Sequence, residues 1–172
     1  SDLAARAAGA FTHLLSSFDH AAATSAYFDP DWYLARYPEV ASEIDDGIWR
    51  SALHHYLANP TPAAYDPNAH FSESSYRVRY PDIAAAVDKG AYRSAYMHFA
   101  MHGAREMRLP SPLVDLRHYM ARNPSVRADL DAGLAPDAFV HFLRIGLPRH
   151  LSAAPPLEDI APEASFKRVF RG

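Results

Sequence analysis

Three histidines recur at one spacing along this chain and are the first candidates for chemistry. His55, His98 and His141 lie 43 positions apart. An imidazole can donate and accept hydrogen bonds, and its charge changes near neutral pH. On a helical wheel, His55 lies roughly 145° from the centre of the apolar stripe of its own predicted helix. The series predicts either an imidazole ladder that binds sugar hydroxyls or acidic groups, or structural histidines that bond to backbone or a carboxylate of the adjacent repeat. The structural interpretation is favoured, because a recurring polar residue in a stacked array usually joins repeats.

Arginine and aspartate recur with the same period. The arginines are Arg36, Arg79 and Arg122, and the aspartates are Asp45, Asp88 and Asp131. A row of guanidinium groups could bind an anionic ligand such as a sugar nucleotide or a phosphate. Because aspartate recurs as often as arginine, we expect charge pairing within or between units, or capping of the turn carbonyls near Gly47. Trp32 could stack on a sugar ring if it were exposed, but its spacing favours the core.

The sequence assigns no metal site and no catalytic site. His98 and His102 lie at i and i+4, which suits two imidazole ligands on one helix face, but no third ligand can be nominated. The chain has no cysteine, HExxH motif, nucleophile elbow, glycine-rich phosphate loop or Rossmann fingerprint. We therefore expect no metal, no cofactor and no catalytic residue, and hence a chain that is not itself an enzyme.

These residues belong to a sequence repeat with a period of 43. Residues 28–57, 71–100 and 114–143 align without a gap, which is the signature of a tandem-repeat fold. Seven positions are identical in all three copies: Tyr33, Tyr76 and Tyr119; Arg36, Arg79 and Arg122; Pro38, Pro81 and Pro124; Asp45, Asp88 and Asp131; Gly47, Gly90 and Gly133; Ala52, Ala95 and Ala138; and His55, His98 and His141.

One copy of the repeat predicts three short helices. Asp29-Pro30 is typical of an N-cap followed by proline in the first helical turn. Pro38 ends the first helix and opens the second, because the residue before a proline avoids the helical region. Gly47 is a typical residue just beyond a helix C-terminus and ends the second. The third helix is predicted to carry an apolar stripe at helical spacing, formed by Trp49, Leu53, Tyr56 and Leu57.

The predicted fold class is all-α, with tandem repeats of three short helices stacked as a small solenoid-like or compact helical domain. A unit of this size cannot bury its apolar face alone, so neighbouring units must cover one another. The predicted divisions are a partial N-terminal repeat or cap (1–27), three repeats (28–70, 71–113 and 114–150), and a proline-rich boundary with a basic-aromatic tail (151–172). In the first of these, His13 lies in the segment AFTHLL, which is similar to AFVHFL at 138–143.

The chain resembles a bacterial repeat of the form F-D-x-x-Y-Y-L-x-x-N-P-D-V … G … P-L-x-H-Y-L-x-x-G-x-x-E-G-R-x-P. The matching segments are FDPDWYLARYPEV, RYPDIAAAV, ARNPSV and HFAMHGAREMRLPSP, within residues 28–150. The chain differs from the pattern at Ala104 and Met107, and its first copy lacks the terminal E-G-R part. Such repeats occur in large proteins that often also carry glycosyltransferase domains of surface-polysaccharide synthesis. The resemblance implies a helical accessory module and implies no catalytic residue here.

Composition narrows the class of partner. The formal net charge is −3, which argues against a generic nucleic-acid binder, and no apolar run approaches the roughly 18 residues that span a bilayer. The chain begins at Ser1 without a signal-peptide pattern, so we expect a piece of a longer protein or a processed terminus, located in the cytoplasm. The expected partner is a protein or an adjacent domain of the parent chain, with glycan as a further ligand, and with no nucleic acid and no membrane insertion.

Two hypotheses of function follow from these observations. The first is a non-catalytic interaction module that scaffolds or targets a larger protein of the surface-polysaccharide or glycosyltransferase type. The second is a module that binds glycan or sugar nucleotide on the repeated histidine and arginine face. Its candidate ligand-binding residues are His55, His98, His141, Arg36, Arg79, Arg122 and Trp32.

Overall fold

The computed structural model describes residues 26–154. Every regular element in this range is helical, and the described residues form no strand. The predicted all-α class is therefore confirmed. None of the described helices has the length and apolar character needed to cross a membrane. The predicted partial repeat with His13 lies outside the described residues except for its last two positions, and so does the tail from residue 155 onward.

Three helices fall in each copy of the sequence repeat. The first copy has α1 (Pro30–Arg36), α2 (Pro38–Asp45) and α3 (Ala52–Ala58). The second copy has α4 (Glu73–Arg79), α5 (Pro81–Asp88) and α6 (Ala95–His98). The third copy has α7 (Leu116–Arg122), α8 (Ser125–Asp131) and α9 (Ala138–His141). A 3-10 turn (Pro62–Ala64) follows α3, while π-helical turns (Phe99–Gly103 and Phe142–Gly146) continue α6 and α9.

The helix boundaries follow the local signals in the sequence. The Asp29 carboxylate accepts a hydrogen bond from the Trp32 N–H at 3.0 Å and caps α1, with Pro30 in the first turn. Pro38 opens α2. The turns that follow α2, α5 and α8 each contain a glycine with a positive φ angle, a conformation that costs side-chain-bearing residues about 1–2 kcal/mol. These φ angles are 77° at Gly47, 78° at Gly90 and 76° at Gly133.

The third helix begins later than the predicted stripe requires. Ser51, in an extended conformation, accepts a hydrogen bond from the His54 N–H at 3.1 Å, so α3 starts at Ala52. Trp49 therefore precedes the helix, and its place in a helical stripe was wrongly predicted. Its indole instead donates a hydrogen bond to the Glu43 carboxylate at 2.6 Å, which ties the chain before α3 to α2.

Each copy is closed by one backbone hydrogen bond between its two ends. The N–H of the residue that caps the first helix donates to a carbonyl near the end of the same copy. The three bonds are Asp29 to Pro67 at 3.0 Å, Ser72 to Pro110 at 2.9 Å, and Asp115 to Ala153 at 2.8 Å. The third bond lies beyond residue 150, where the sequence placed the end of the third repeat.

The third helices of successive copies pack through equivalent aromatic contacts. The rings of Tyr56 and Tyr96 lie 5.8 Å apart, and those of Phe99 and Phe139, which occupy the same positions one copy later, lie 5.0 Å apart. Tyr27 contacts both Phe99 and Phe139, with ring centroids 6.2 and 5.3 Å away. The start of the array therefore also touches the third copy, whereas repeats of an extended solenoid touch only their neighbours. The solenoid-like form stays a prediction.

The backbone conformation at His150 yields a testable prediction. His150 is exposed and has φ 58°, whereas Gly90 has φ 78° and open space where a Cβ would lie. We expect Gly90→Ala to lower the free energy of unfolding by about 1–2 kcal/mol, because alanine must adopt a left-handed conformation. His150→Gly should leave stability unchanged or raise it by up to about 1 kcal/mol. Urea denaturation of both variants measures the change in the free energy of unfolding. An unchanged value for Gly90→Ala would contradict the prediction.

Candidate functional site

The recurring histidines are buried and bonded to the recurring tyrosines. The hydroxyl of a tyrosine on the first helix of each copy meets Nδ1 of the histidine on the third helix. The three pairs are Tyr33–His55 at 2.8 Å, Tyr76–His98 at 3.0 Å and Tyr119–His141 at 2.8 Å. All six side chains are at most 4 % exposed. Each bond joins the first and third helices of one copy, so these histidines hold a unit together internally.

The other side of each imidazole has a different neighbour in each copy. The Trp49 ring lies 5.1 Å from His55 and the Tyr92 ring 5.2 Å from His98, both edge-on. In the third copy the equivalent residue is Ala135, which leaves room for a carboxylate. There Asp129 lies 2.9 Å from Nε2 of His141. An aromatic edge and a carboxylate are thus alternative supports for the same buried ring.

Burial decides the protonation of the first two pairs. Desolvation lowers the pKa of His55 and His98, because a charged imidazole loses its hydration inside the protein. Desolvation likewise raises the pKa of Tyr33 and Tyr76. Both histidines are therefore neutral at physiological pH, with Nδ1 and the tyrosine hydroxyl sharing one hydrogen bond.

A glycine covers the tyrosine hydroxyl in the last two copies. A Cβ placed at Gly103 would collide with the Tyr76 hydroxyl, and one at Gly146 would collide with Tyr119. These glycines lie at the ends of the π-helical turns that continue α6 and α9. In the first copy α3 stops at Ala58, and the buried Asn59 side chain instead donates to the carbonyls of the final helical turn.

The predicted imidazole ladder is not an exposed face in the structure. His55, His98 and His141 are buried, and their partner is a tyrosine of the same copy rather than a backbone group or carboxylate of the adjacent repeat. The physical reason is that the third helix has two covered sides. One packs against the neighbouring copy, and the other, which carries the histidine, packs against the first helix of its own copy.

The recurring arginines and aspartates lie at the surface. Arg36, Arg79, Arg122, Asp45, Asp88 and Asp131 are all exposed. Within residues 26–154, the predicted pairing between these two sets does not form. Asp88 instead pairs with Arg77, which is not a member of the repeated series. The Arg36 guanidinium lies over the Tyr37 ring, 5.2 Å from its centroid.

Of Trp32 and the two candidate metal ligands, only His98 belongs to a tyrosine–histidine pair. Trp32 is half-buried and packs edge-on against Tyr37, with ring centroids 6.2 Å apart. The rings of His98 and His102 lie 5.6 Å apart. In the part of the chain that the structure describes, no three His, Cys, Asp or Glu residues are grouped as metal ligands.

Glu73 is a buried charged residue that sequence reasoning missed. It is 4 % exposed, and its carboxylate accepts hydrogen bonds from the N–H groups of Ala95 at 2.7 Å and Tyr96 at 3.0 Å. It therefore caps the start of α6 from a distance. Burial raises its pKa to about 7, although the two N–H bonds favour the ionised form. Nothing in the repeat signals this role, because Glu73 aligns with Pro30 and Leu116.

The fold and these contacts define an all-helical domain with three internal tyrosine–histidine pairs. No family model, no curated protein and no solved structure matches the chain. The resemblance to the bacterial repeat therefore stays a prediction from the residues themselves.

Removal of one tyrosine hydroxyl tests the role of the pairs. Tyr76→Phe leaves Nδ1 of the buried His98 without its partner, so we expect the free energy of unfolding to fall by about 1–3 kcal/mol. Tyr92→Phe is the matched control, because that half-buried hydroxyl bonds to no other described residue, and its effect should stay below about 0.5 kcal/mol. Equal effects of the two substitutions in urea denaturation would refute the assignment.

Glu73 predicts a specific dependence of stability on pH. Its pKa is about 7 in the folded protein, against an ordinary value of 4.5, so between these values the folded state binds more protons than the unfolded state. Its contribution to stability is fully present below pH 4.5 and is lost as the pH rises through 7. The unfolding free energy of the wild type minus that of Glu73→Gln should fall by about 2–3 kcal/mol from about pH 5 to about pH 8.

The comparison with a Glu73 variant is needed because the buried His55 and His98 act in the opposite direction. Their pKa is lowered, so their contribution is lost as the pH falls through 6.5 and below. Both proteins contain these histidines, and the subtraction removes their effect. Asp46→Asn, at the exposed position that follows α2, serves as the control. A difference that stays constant over this pH range would show that Glu73 does not titrate within it.

Proposed function

We propose that this chain is a non-catalytic helical-repeat module that scaffolds or targets a larger protein by binding a protein partner or an adjacent domain. The resemblance to repeats of glycosyltransferase-associated proteins supports a role in the assembly of surface polysaccharide. The tyrosine–histidine pairs support the non-catalytic part of the proposal, because the tyrosine hydroxyl and the histidine Nδ1 bond to each other within each unit.

The observation that carries the proposal is a set of exposed residues at equivalent places in all three copies, here called the recurring surface. It contains the repeated arginines and aspartates and the residue after each turn glycine. Those last residues are Ile48, Ala91 and Leu134, all exposed. Ile48 and Leu134 keep 61 % and 62 % of their surface accessible. A single exposed aliphatic side chain needs no explanation, but one that recurs near an aspartate in two of three copies is typical of a binding surface.

The geometry of the turns keeps this surface rigid. The N–H groups of Ile48, Ala91 and Leu134 donate to carbonyls five residues earlier, at 2.9, 2.9 and 3.0 Å. Such bonds complete the ends of α2, α5 and α8. The backbone that carries these apolar side chains is therefore fixed, and little backbone freedom is lost when a partner binds.

A second candidate function is supported by the exposed arginines. Arg79 and Arg122 form no ion pair within residues 26–154, so their guanidinium groups are available to an anionic glycan or a sugar nucleotide. In this version of the hypothesis the arginines carry the binding, because the histidines bond to tyrosines in the core.

Site-specific photo-crosslinking tests the proposal. A crosslinking amino acid at Ile48 or Leu134 should capture one protein partner in cells of the source organism, and one at the exposed Ser74 should not. With that partner purified, Ile48→Asp combined with Leu134→Asp should weaken binding at least about tenfold. The unfolding free energy should change by no more than about 0.5 kcal/mol per substitution.

The arginines distinguish the two candidates. The triple variant Arg36→Ala, Arg79→Ala and Arg122→Ala should keep the fold, since exposed arginines outside ion pairs contribute little to stability. If anionic oligosaccharides shift the NMR signals of the wild type and not of the triple variant, while no protein is captured at Ile48 or Leu134, the interaction module is rejected in favour of the glycan-binding module.

A further inference from the structure

We infer that the face around Leu113 is a docking site for the third helix of one further repeat unit, which would follow the third copy in the same register. This inference depends on the contacts between copies and is independent of the recurring surface. It predicts that the array described here is extendable at its C-terminal side.

The key observation concerns three residues at one position of the repeat, which differ in how much of their surface is exposed. Tyr27 contacts Phe99 of the second copy, with 6.2 Å between ring centroids. His70 occupies the same position one copy later and contacts Phe142 of the third copy, at the same sequence separation and at 5.3 Å. Leu113 is the third member of this series, and no described residue lies at that separation beyond it. Tyr27 is 5 % exposed, His70 is half-buried, and Leu113 is 71 % exposed.

A second position of the repeat is also more exposed in the third copy than in the second. Ala104 in the second copy is 1 % exposed, while Leu147, its equivalent in the third copy, is half-buried. Two apolar side chains, Leu113 just before the third copy and Leu147 within it, are therefore less covered than their equivalents one period earlier. Exposure of a large aliphatic side chain at a position buried elsewhere in a repeat is typical of an interface that lacks its next member.

The preceding interfaces specify the occupant. In both cases the residue of this series contacts a third helix that begins with alanine, an aromatic residue, two further residues and a second aromatic residue. The contacted ring is that of the second aromatic residue. The two helices begin Ala95-Tyr96 and Ala138-Phe139, and the contacted rings are Phe99 and Phe142. Because the contact of this position with a third helix recurs one period later, the same docking geometry continues onto Leu113. The occupant is therefore an aromatic-bearing helix of this repeat.

The first test uses the chain as it exists. The sequence contains no cysteine, so Leu113→Cys introduces a single thiol. Its rate of reaction with a thiol reagent should lie within about threefold of the rate in the urea-unfolded chain, as expected for an exposed position. A rate lower by about tenfold or more would show that this chain covers its own face, and the inference would be wrong.

The second test supplies the missing unit. A second copy of residues 114–156 inserted after Pro156 places a third helix beyond Leu113 at the separation that His70 has from Phe142. In this extended chain the thiol of Leu113→Cys should react at least about tenfold more slowly than in the original chain. Leu113→Asp should lower the melting temperature of the extended chain and not that of the original chain. Val78→Asp, at an 84 % exposed position, should affect neither and is the matched control.

A second extended chain guards against a failure of the first to fold. A second copy of residues 71–113 inserted after Leu113 makes two units follow the same leucine in the sequence. Equal thiol reactivity of Leu113→Cys in the folded extended chain and in the original chain would overturn the inference. Failure of both extended chains to unfold in one cooperative transition would also overturn it, because the face then does not accept a unit.

Discussion

The hydrogen bond between a buried tyrosine and a buried histidine is the interaction on which each unit depends. Helices of four to eight residues are too short to be stable in water alone, so tertiary contacts must hold them. The tyrosine is on the first helix and the histidine on the third, 22 residues away. Because both groups are desolvated, the loss of either leaves a polar atom without a partner inside the core.

This constraint explains much of the surrounding sequence. The third helix must bring its histidine under the tyrosine while its aromatic residues face the next copy, so both sides of that helix are covered. Gly103 and Gly146 leave the space that the tyrosine hydroxyl requires. The turn glycines let the chain reverse between the second and third helices. The backbone bond from the cap of the first helix to a carbonyl near the end of the copy then closes the unit.

The elements of the fold could be predicted from the sequence because their signals are local. Asp29-Pro30, Pro38 and Gly47 fix helix ends through capping, the missing proline N–H and the left-handed turn, and the structure has each of these features. The start of α3 was misjudged because the stripe that includes Trp49 fits helical spacing, whereas the Ser51 cap decides the boundary. The period of 43 also made it predictable that the three histidines occupy equivalent positions in their units.

The partners of the functional candidates could not be predicted, since they depend on how helices cross. Glu73 is the clearest example, because the N–H groups that bond to it lie on a helix of the same copy that is distant in sequence, and its equivalents in the other copies are Pro30 and Leu116. A residue that differs from its own repeat carries no periodic signal.

The identical positions fall into two physical groups, and this division leads to function. The repeated tyrosine, histidine and alanine are buried, the proline lies at the start of each second helix, and the glycine adopts a positive φ angle. The fold itself requires these. The repeated arginine and aspartate are exposed at the ends of the first and second helices, where charges contribute little to stability. A partner that touches several copies meets the same groups at a spacing fixed by the core beneath them, so each further contact adds to affinity at a low entropic cost. Recurrence without a structural requirement is therefore the strongest argument for the proposal that this surface binds a partner.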